Sequence, residues 1–108
     1  MRYAFSDTFQ DSLCRLGRSD QNAVKITMAD LFLDQTPSGF NLEKLKGNNF
    51  WSGRVNDDLR LIMSHHGDTN IVVHVSHHED AYSWAASHDV KVNEATRSLQ
   101  VIKSERLV

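Results

Sequence analysis

Apolar residues recur at helical spacing in the first third of the chain and at strand spacing beyond it. Arg2 to Phe5, with two aromatics, reads as a short opening strand. Ser6 then suits an N-cap, and Phe9, Leu13 and Leu16 fall at i, i+4 and i+7 until Gly17 supplies a stop. A second stripe, Val24, Thr27, Met28 and Leu31, widened by Phe32, follows a cap at Ser19 or Asp20. Pro37 and Gly39 end it by about Thr36. Two adjacent amphipathic helices joined by a tight turn make a helical hairpin.

From Leu42 onward the period changes. Trp51 to Val55, Leu59 to Ser64 and Asn70 to Ser76 are strand-like runs, separated by Asn56-Asp57-Asp58 and His66-Gly67-Asp68, which are turn chemistry. Strict alternation places Ile71, Val73 and Val75 on one face and Val72, His74 and Ser76 on the other. In the middle strand it sets Leu59, Leu61 and Met63 opposite Arg60, Ile62 and Ser64. One greasy face is thus expected for the helical hairpin and a more polar face for another purpose. Glu79 to Ala86 reads as a short third helix with acidic residues in its first turn. Val90 to Asn93 and Leu99 to Ile102 flank Glu94-Ala95-Thr96-Arg97 as a late hairpin or added edge. The fold expected is α+β: a helical hairpin packed on a four-stranded, mostly antiparallel sheet, with a short C-terminal helix. Its core should contain Phe9, Leu13, Val24, Leu31, Leu61, Val73 and Val75.

Composition narrows the function. At 108 residues one core is expected. The single Cys14 excludes a disulfide scaffold and a cysteine-built metal site. A formal net charge of −2 confines any nucleic-acid site to a local patch, although protonation of all six histidines would reverse the sign. With no apolar run near the roughly 18 residues of a membrane span and no signal-peptide core, a cytoplasmic setting is expected. The six histidines lack metal-binding spacing, so neither a metal nor another cofactor is expected.

Three segments carry polar residues that a fold does not obviously need. Leu42-Glu43-Lys44-Leu45-Lys46-Gly47 holds two lysines at strand spacing, and Trp51 to Arg60 places Arg54 and Arg60 on two strands of a hairpin. His77-His78-Glu79-Asp80-Ala81-Tyr82 lies where the last strand becomes a helix. The lysine pair, the R-V-x-x-D-x-R hairpin (Arg54 to Arg60) and the H-x-x-x-A-Y strand exit (His77 to Tyr82), in that order after a helical hairpin, resemble the RelE/ParE toxin superfamily. The resemblance runs from about Tyr3 to His88. It implies a toxin domain over residues 1–88, with 89–108 as a C-terminal extension.

In the ribonuclease branch of that superfamily, toxins cut messenger RNA on the ribosome without a metal and are held inert by an antitoxin. The resemblance therefore implies the ribosome, mRNA and an antitoxin as partners, and no membrane. It casts Arg54, His77, His78 and Tyr82 as catalytic residues, with Arg54 stabilising the scissile phosphate and His77 favoured over His78 for proton transfer. Lys44, Lys46 and Arg60 become RNA contacts. His78 stands where many members have arginine, which weakens the fixed positive charge there.

Each residue has a plainer reading as well. Lys44 and Lys46 can form a solvated strand face, Arg54 can pair with Asp57 or Asp58 across the turn, and the two histidines can cap a helix. Arg60 can serve the meander alone. The segment His77 to Ala86 also resembles RelE-like domains at the front of some superfamily I DNA helicases. A non-catalytic binding or regulatory module, or a gyrase inhibitor, is therefore the alternative to a nuclease.

Overall fold

The computed structural model describes residues 2–93 and 98–103. Strand β1 (Arg2–Phe5) leads into helix α1 (Asp7–Cys14), and α2 (Arg18–Phe32) follows. Ser6 caps α1 as its sequence suggests, its Oγ accepting the Phe9 N–H at 3.3 Å. Helix α2 begins before Ser19 and Asp20, because Gly17 takes the cap position without a side-chain hydrogen bond; Asp20 instead lies in the first turn, where its charge suits the helix dipole. It also ends before Thr36: Asp34, at φ 58°, turns the chain into the left-handed region soon after Phe32.

Four further strands follow, β2 (Glu43–Lys44), β3 (Phe50–Arg54), β4 (Leu59–His66) and β5 (Thr69–His77). Together they form a five-stranded sheet in the order β1-β5-β4-β3-β2. Only β1 is parallel to its neighbour. The additional strand relative to the expected four is β2, whose two residues are too few to show an alternation. Helix α3 (His78–Ser87) leaves β5 directly, and β6 (His88–Asn93) with β7 (Ser98–Lys103) makes a separate antiparallel hairpin. Its expected turn, Glu94-Ala95-Thr96-Arg97, lies outside the described residues. Among the described residues no helix is long and apolar enough to cross a membrane.

The alternation in β5 is broken by one residue. Ile62 is paired with His74 but Met63 with Val72, so β5 carries Val73 as an extra residue. This bulge turns both Val73 and His74 to the same face and returns Val75 to the face of Val72. The expected grouping of Ile71, Val73 and Val75 is therefore corrected. Val72 and Val75 pack with Phe9, Val24, Leu31, Phe40, Leu61 and Met63 beneath the helical hairpin. Val73 joins Phe50, Ile62, Ala81 and Ala85 on the opposite side. The second face is thus no open polar surface near β5; α3 covers it with a smaller core of its own. Leu61 and Val73 are both fully buried, but in different cores. Leu13 packs against the first core while remaining partly exposed.

Helix α1 supplies the hydrogen bonds that β1 stops providing at this point. The Ser6 N–H donates to the Val72 carbonyl at 3.0 Å. Thr8 Oγ1 donates to the Val73 carbonyl at 2.7 Å, and the buried Ser12 Oγ accepts the Val75 N–H at 3.0 Å. A helix thereby completes the edge of a bulged strand, where unpaired backbone groups would otherwise be costly. Towards the other edge of the sheet, the Phe40 ring lies against Gly53. A Cβ there would sit 2.2 Å from Phe40 Cζ, so the loop after α2 can close over the first core only above a glycine.

Helix α3 is anchored by a three-ring stack. The Trp84 indole lies between the imidazoles of His74 and His88, with centroids 4.4 and 4.2 Å away and planes within 9° of parallel. Burial, reinforced by the charges of His88 and Arg15 and opposed by Asp80, pushes the His74 pKa down to about 4. His74 is therefore neutral in the folded protein near neutral pH.

Two outcomes are expected. Ser12→Ala strands the buried Val75 N–H and should lower stability by about 1–3 kcal/mol in urea unfolding. For His74, the unfolded chain binds more protons than the folded one between the ordinary histidine value of 6.5 and about 4. Its contribution should be complete above the unfolded pKa and disappear as pH falls towards the folded one, a loss of up to about 3 kcal/mol. Unfolding followed across that window should show the loss in the wild type and a flatter profile in His74→Phe, which keeps a ring in the stack and does not titrate.

Candidate functional site

Beside α3, the same face of the sheet continues over β2, the Arg54 end of β3 and the start of β4. Strand register brings its side chains together: Glu43 opposes Ser52, and Arg54 opposes Arg60. Helix α3 adds Tyr82 from above. A cavity of about 130 Å³ is lined by Asn41, Glu43, Ser52, Arg54, Arg60 and Tyr82. A larger one, about 380 Å³, adjoins it and is lined by Glu43, Lys44, Lys46, Asn48 and Tyr82 among others. Glu43 and Tyr82 line both and form the boundary between them.

The cations are held by the protein's own loops. Arg54 pairs with Asp57 across the turn, its guanidinium also donating to the Asn56 carbonyl at 3.4 Å. Arg60 donates to the Asn56 and Leu59 carbonyls at 2.6 and 3.0 Å. Lys44 Nζ donates to the carbonyls of Leu45 and Asn48. The Arg54–Asp57 pair is exposed, with the carboxylate side chain at 90% accessibility. Such pairs are worth about 0–1 kcal/mol, so a phosphate can displace Asp57 at small cost.

The two adjacent histidines part company at the end of β5. The His78 N–H donates to the Asp58 carbonyl at 2.7 Å, tying α3 to the β3–β4 turn. Its imidazole meets Tyr82 edge to face at 4.9 Å, behind the phenol that lines the cavity. His77 occupies the N-cap position of α3 without a capping bond. It sits 3.6 Å from Asp20 of α2 and lines a different cavity with Ser12, Arg15 and Gly17. Arg54, Arg60, Tyr82 and His78 are therefore brought together with Lys44 and Lys46 nearby, whereas His77 stands apart.

Glu43 was absent from the residues that sequence reasoning selected. It sits between hydrophobic and basic neighbours in Leu42-Glu43-Lys44, where a lone carboxylate looks like charge balance. Only the pairing of so short a strand with Ser52 aims it at the arginines. Chemically the cavity offers a carboxylate, two guanidinium groups and a phenol, with an imidazole packed against the phenol.

Comparison with known structures adds the fold family. The E. coli toxin YafQ, in a histidine-to-glutamine variant, superimposes with a TM-score of 0.62 at 16% identity, covering 76% of this chain and 99% of YafQ. The fold is RelE/ParE-like. RelE from Methanococcus jannaschii, solved with its antitoxin RelB, gives 0.58 at 22% identity, over 75% of this chain and 96% of that one. A YoeB/ParE toxin from Agrobacterium tumefaciens gives 0.53 at 16% identity over 72% and 99%. No protein-family model matches the sequence. No curated protein matches it either. About a quarter of this RelE/ParE-like chain therefore has no counterpart in toxins that are themselves covered almost completely.

Because the Arg54 pair is exposed, Arg54→Ala should change folding stability by less than about 1 kcal/mol in urea unfolding. A larger loss would mean that the arginine holds the hairpin together.

Proposed function

We propose that the protein is a RelE-like toxin of a toxin–antitoxin system, acting in the cytoplasm as a ribosome-dependent, metal-independent mRNA endonuclease. The observation that carries this reading is the convergence of Glu43, Arg54, Arg60 and Tyr82 on one cavity flanked by Lys44 and Lys46. Cleavage of RNA by its own 2′-hydroxyl needs a base, an acid and fixed positive charge around the phosphate. Glu43 takes the proton from the 2′-oxygen as that oxygen attacks phosphorus. Arg54, released from Asp57, and Arg60 stabilise the charge on the non-bridging oxygens. The bond to the 5′-oxygen breaks, and that oxygen receives a proton from His78 or Tyr82. The products are a 2′,3′-cyclic phosphate and a 5′-hydroxyl end. Lys44 and Lys46 hold flanking phosphates, and the Tyr82 ring is placed to stack on a base.

The antitoxin reading is supported by the solved RelE and YafQ complexes and by apolar side chains exposed on and beside the helical hairpin. Phe5, Ile26, Phe32 and Leu33 are between 47% and 67% accessible. A non-catalytic module is favoured by two other observations, the net charge of −2 and the β6–β7 hairpin added beyond α3.

Induction of the wild type should produce cuts in translated mRNA, mapped by primer extension, together with growth arrest. Arg54→Ala should lower cleavage by roughly 10²–10³, the usual effect of losing a transition-state charge donor. Glu43→Gln should lower it by about 10²–10⁴. His78→Ala should impair cleavage more than His77→Ala, since His78 packs against Tyr82 while His77 faces Asp20. Absence of both cleavage and arrest in the wild type would leave the binding-module reading in its place.

A further inference from the structure

The β6–β7 hairpin borders a further cavity that shares no lining residue with those around Tyr82, and shares Arg15, His74 and Trp84 with the one at His77. It measures about 280 Å³ and lies between α1, β5, α3 and the hairpin. Arg15 reaches it from the end of α1 and Lys103 from β7, with His88 and His74 around Trp84 as its floor. Among the described residues neither Arg15 nor Lys103 forms an ion pair. Asp11 is the one carboxylate among the described residues that line the cavity. Two fixed cations thus face one lining acid, Asp11, across a shared space, with Asp80 in the adjoining cavity that Arg15 also lines. His74, whose protonation is disfavoured first by burial, is also acted on by His88 and Arg15, with Asp80 opposing them.

We propose that this cavity binds a phosphate group. A tetrahedral oxyanion accepts hydrogen bonds from a guanidinium fork and an ammonium at once, and cations that form no ion pair are relieved by such an anion. The cavity volume lies just below the usual range for small-molecule sites, roughly 300–1,000 Å³. It therefore suits a phosphate with a small substituent better than a whole dinucleotide. Two sources offer this chemistry, a free phosphorylated small molecule and the backbone of a nucleic-acid strand. The site depends on the hairpin, which contributes Lys103 and His88, and it uses none of the residues assigned to RNA cleavage. An inactive nuclease would leave it standing.

The test is titration of the full chain with inorganic phosphate, followed by NMR on the Trp84 indole N–H and the His88 ring protons. Saturable shifts are expected with a midpoint on the order of 1 mM, a modest affinity for so small a ligand. Arg15→Gln and Lys103→Gln should each weaken the midpoint by about tenfold, while Arg54→Gln should leave it unchanged. Thermal melting of each variant shows whether it folds, and if Arg15→Gln does not, Lys103→Gln carries the test. Parallel titrations use a nucleoside 5′-monophosphate and an RNA oligonucleotide lacking terminal phosphates. A tighter midpoint for the oligonucleotide, lost in Lys103→Gln, identifies a strand as the source. A tighter midpoint for the monophosphate identifies a small molecule. The absence of saturable shifts with inorganic phosphate, or identical shifts in folded Arg15→Gln and Lys103→Gln, would overturn the proposal.

Discussion

The extra residue in β5 organises the molecule. Without Val73 as a bulge, Val75 would face α3 and His74 the helical hairpin, placing an imidazole in the larger core and leaving Trp84 with His88 alone. With it, each side of the sheet receives the side chains that its covering helix can pack. The bulge survives because α1 runs alongside and its hydroxyls satisfy the local backbone: Thr8 takes the Val73 carbonyl and Ser12 the Val75 amide. Sheet, helical hairpin and α3 are coupled through this one stretch of strand.

That coupling also sets the geometry of the site. Helix α3 starts at His78, immediately after β5, and its first amide is tied to the β3–β4 turn through Asp58. The same few residues fix where Tyr82 stands over Arg54 and Arg60. They send His77 towards Asp20 and His78 towards Tyr82, because one ends a strand and the next begins a helix. Two neighbours of identical chemistry acquire different surroundings from backbone direction alone.

Much of this architecture could be read from residue spacing. The stripes of α1 and α2, the turns at Asn56-Asp57-Asp58 and His66-Gly67-Asp68, and the Leu59-Leu61-Met63 face are local signals. What stayed hidden depends on partners distant in sequence. The bulge appears only when β5 is laid against β4, since the run from Ile71 to Ser76, taken in isolation, is equally satisfied by Ile71, Val73 and Val75 pointing one way. Ser12 resembles any polar helix residue until Val75 lies beside it, 63 positions later. Glu43 is invisible for the same reason: β2 has two residues, and its orientation comes from β3. The arginines, the tyrosine and the lysines stand out by type and order and are found lining adjoining cavities, while the different surroundings of His77 and His78 emerge only in three dimensions.

The parallel pairing of β1 with β5 has a consequence for the order of assembly. Arg2 to Phe5 find their strand partner at Thr69 to Val72, so this early segment cannot join the sheet until most of the domain has left the ribosome behind it. Contacts this far apart in sequence raise the contact order and slow the closing step. The α1 and α2 segments emerge first, yet their apolar faces stay uncovered while the meander follows, and an eight-residue helix such as α1 is marginal without that packing. The cavity at Tyr82 is completed only after β5 has docked, because α3 grows from its end. A chain stalled before this point would present sticky helices without a formed cleft, which makes the interval during synthesis a period of vulnerability to aggregation.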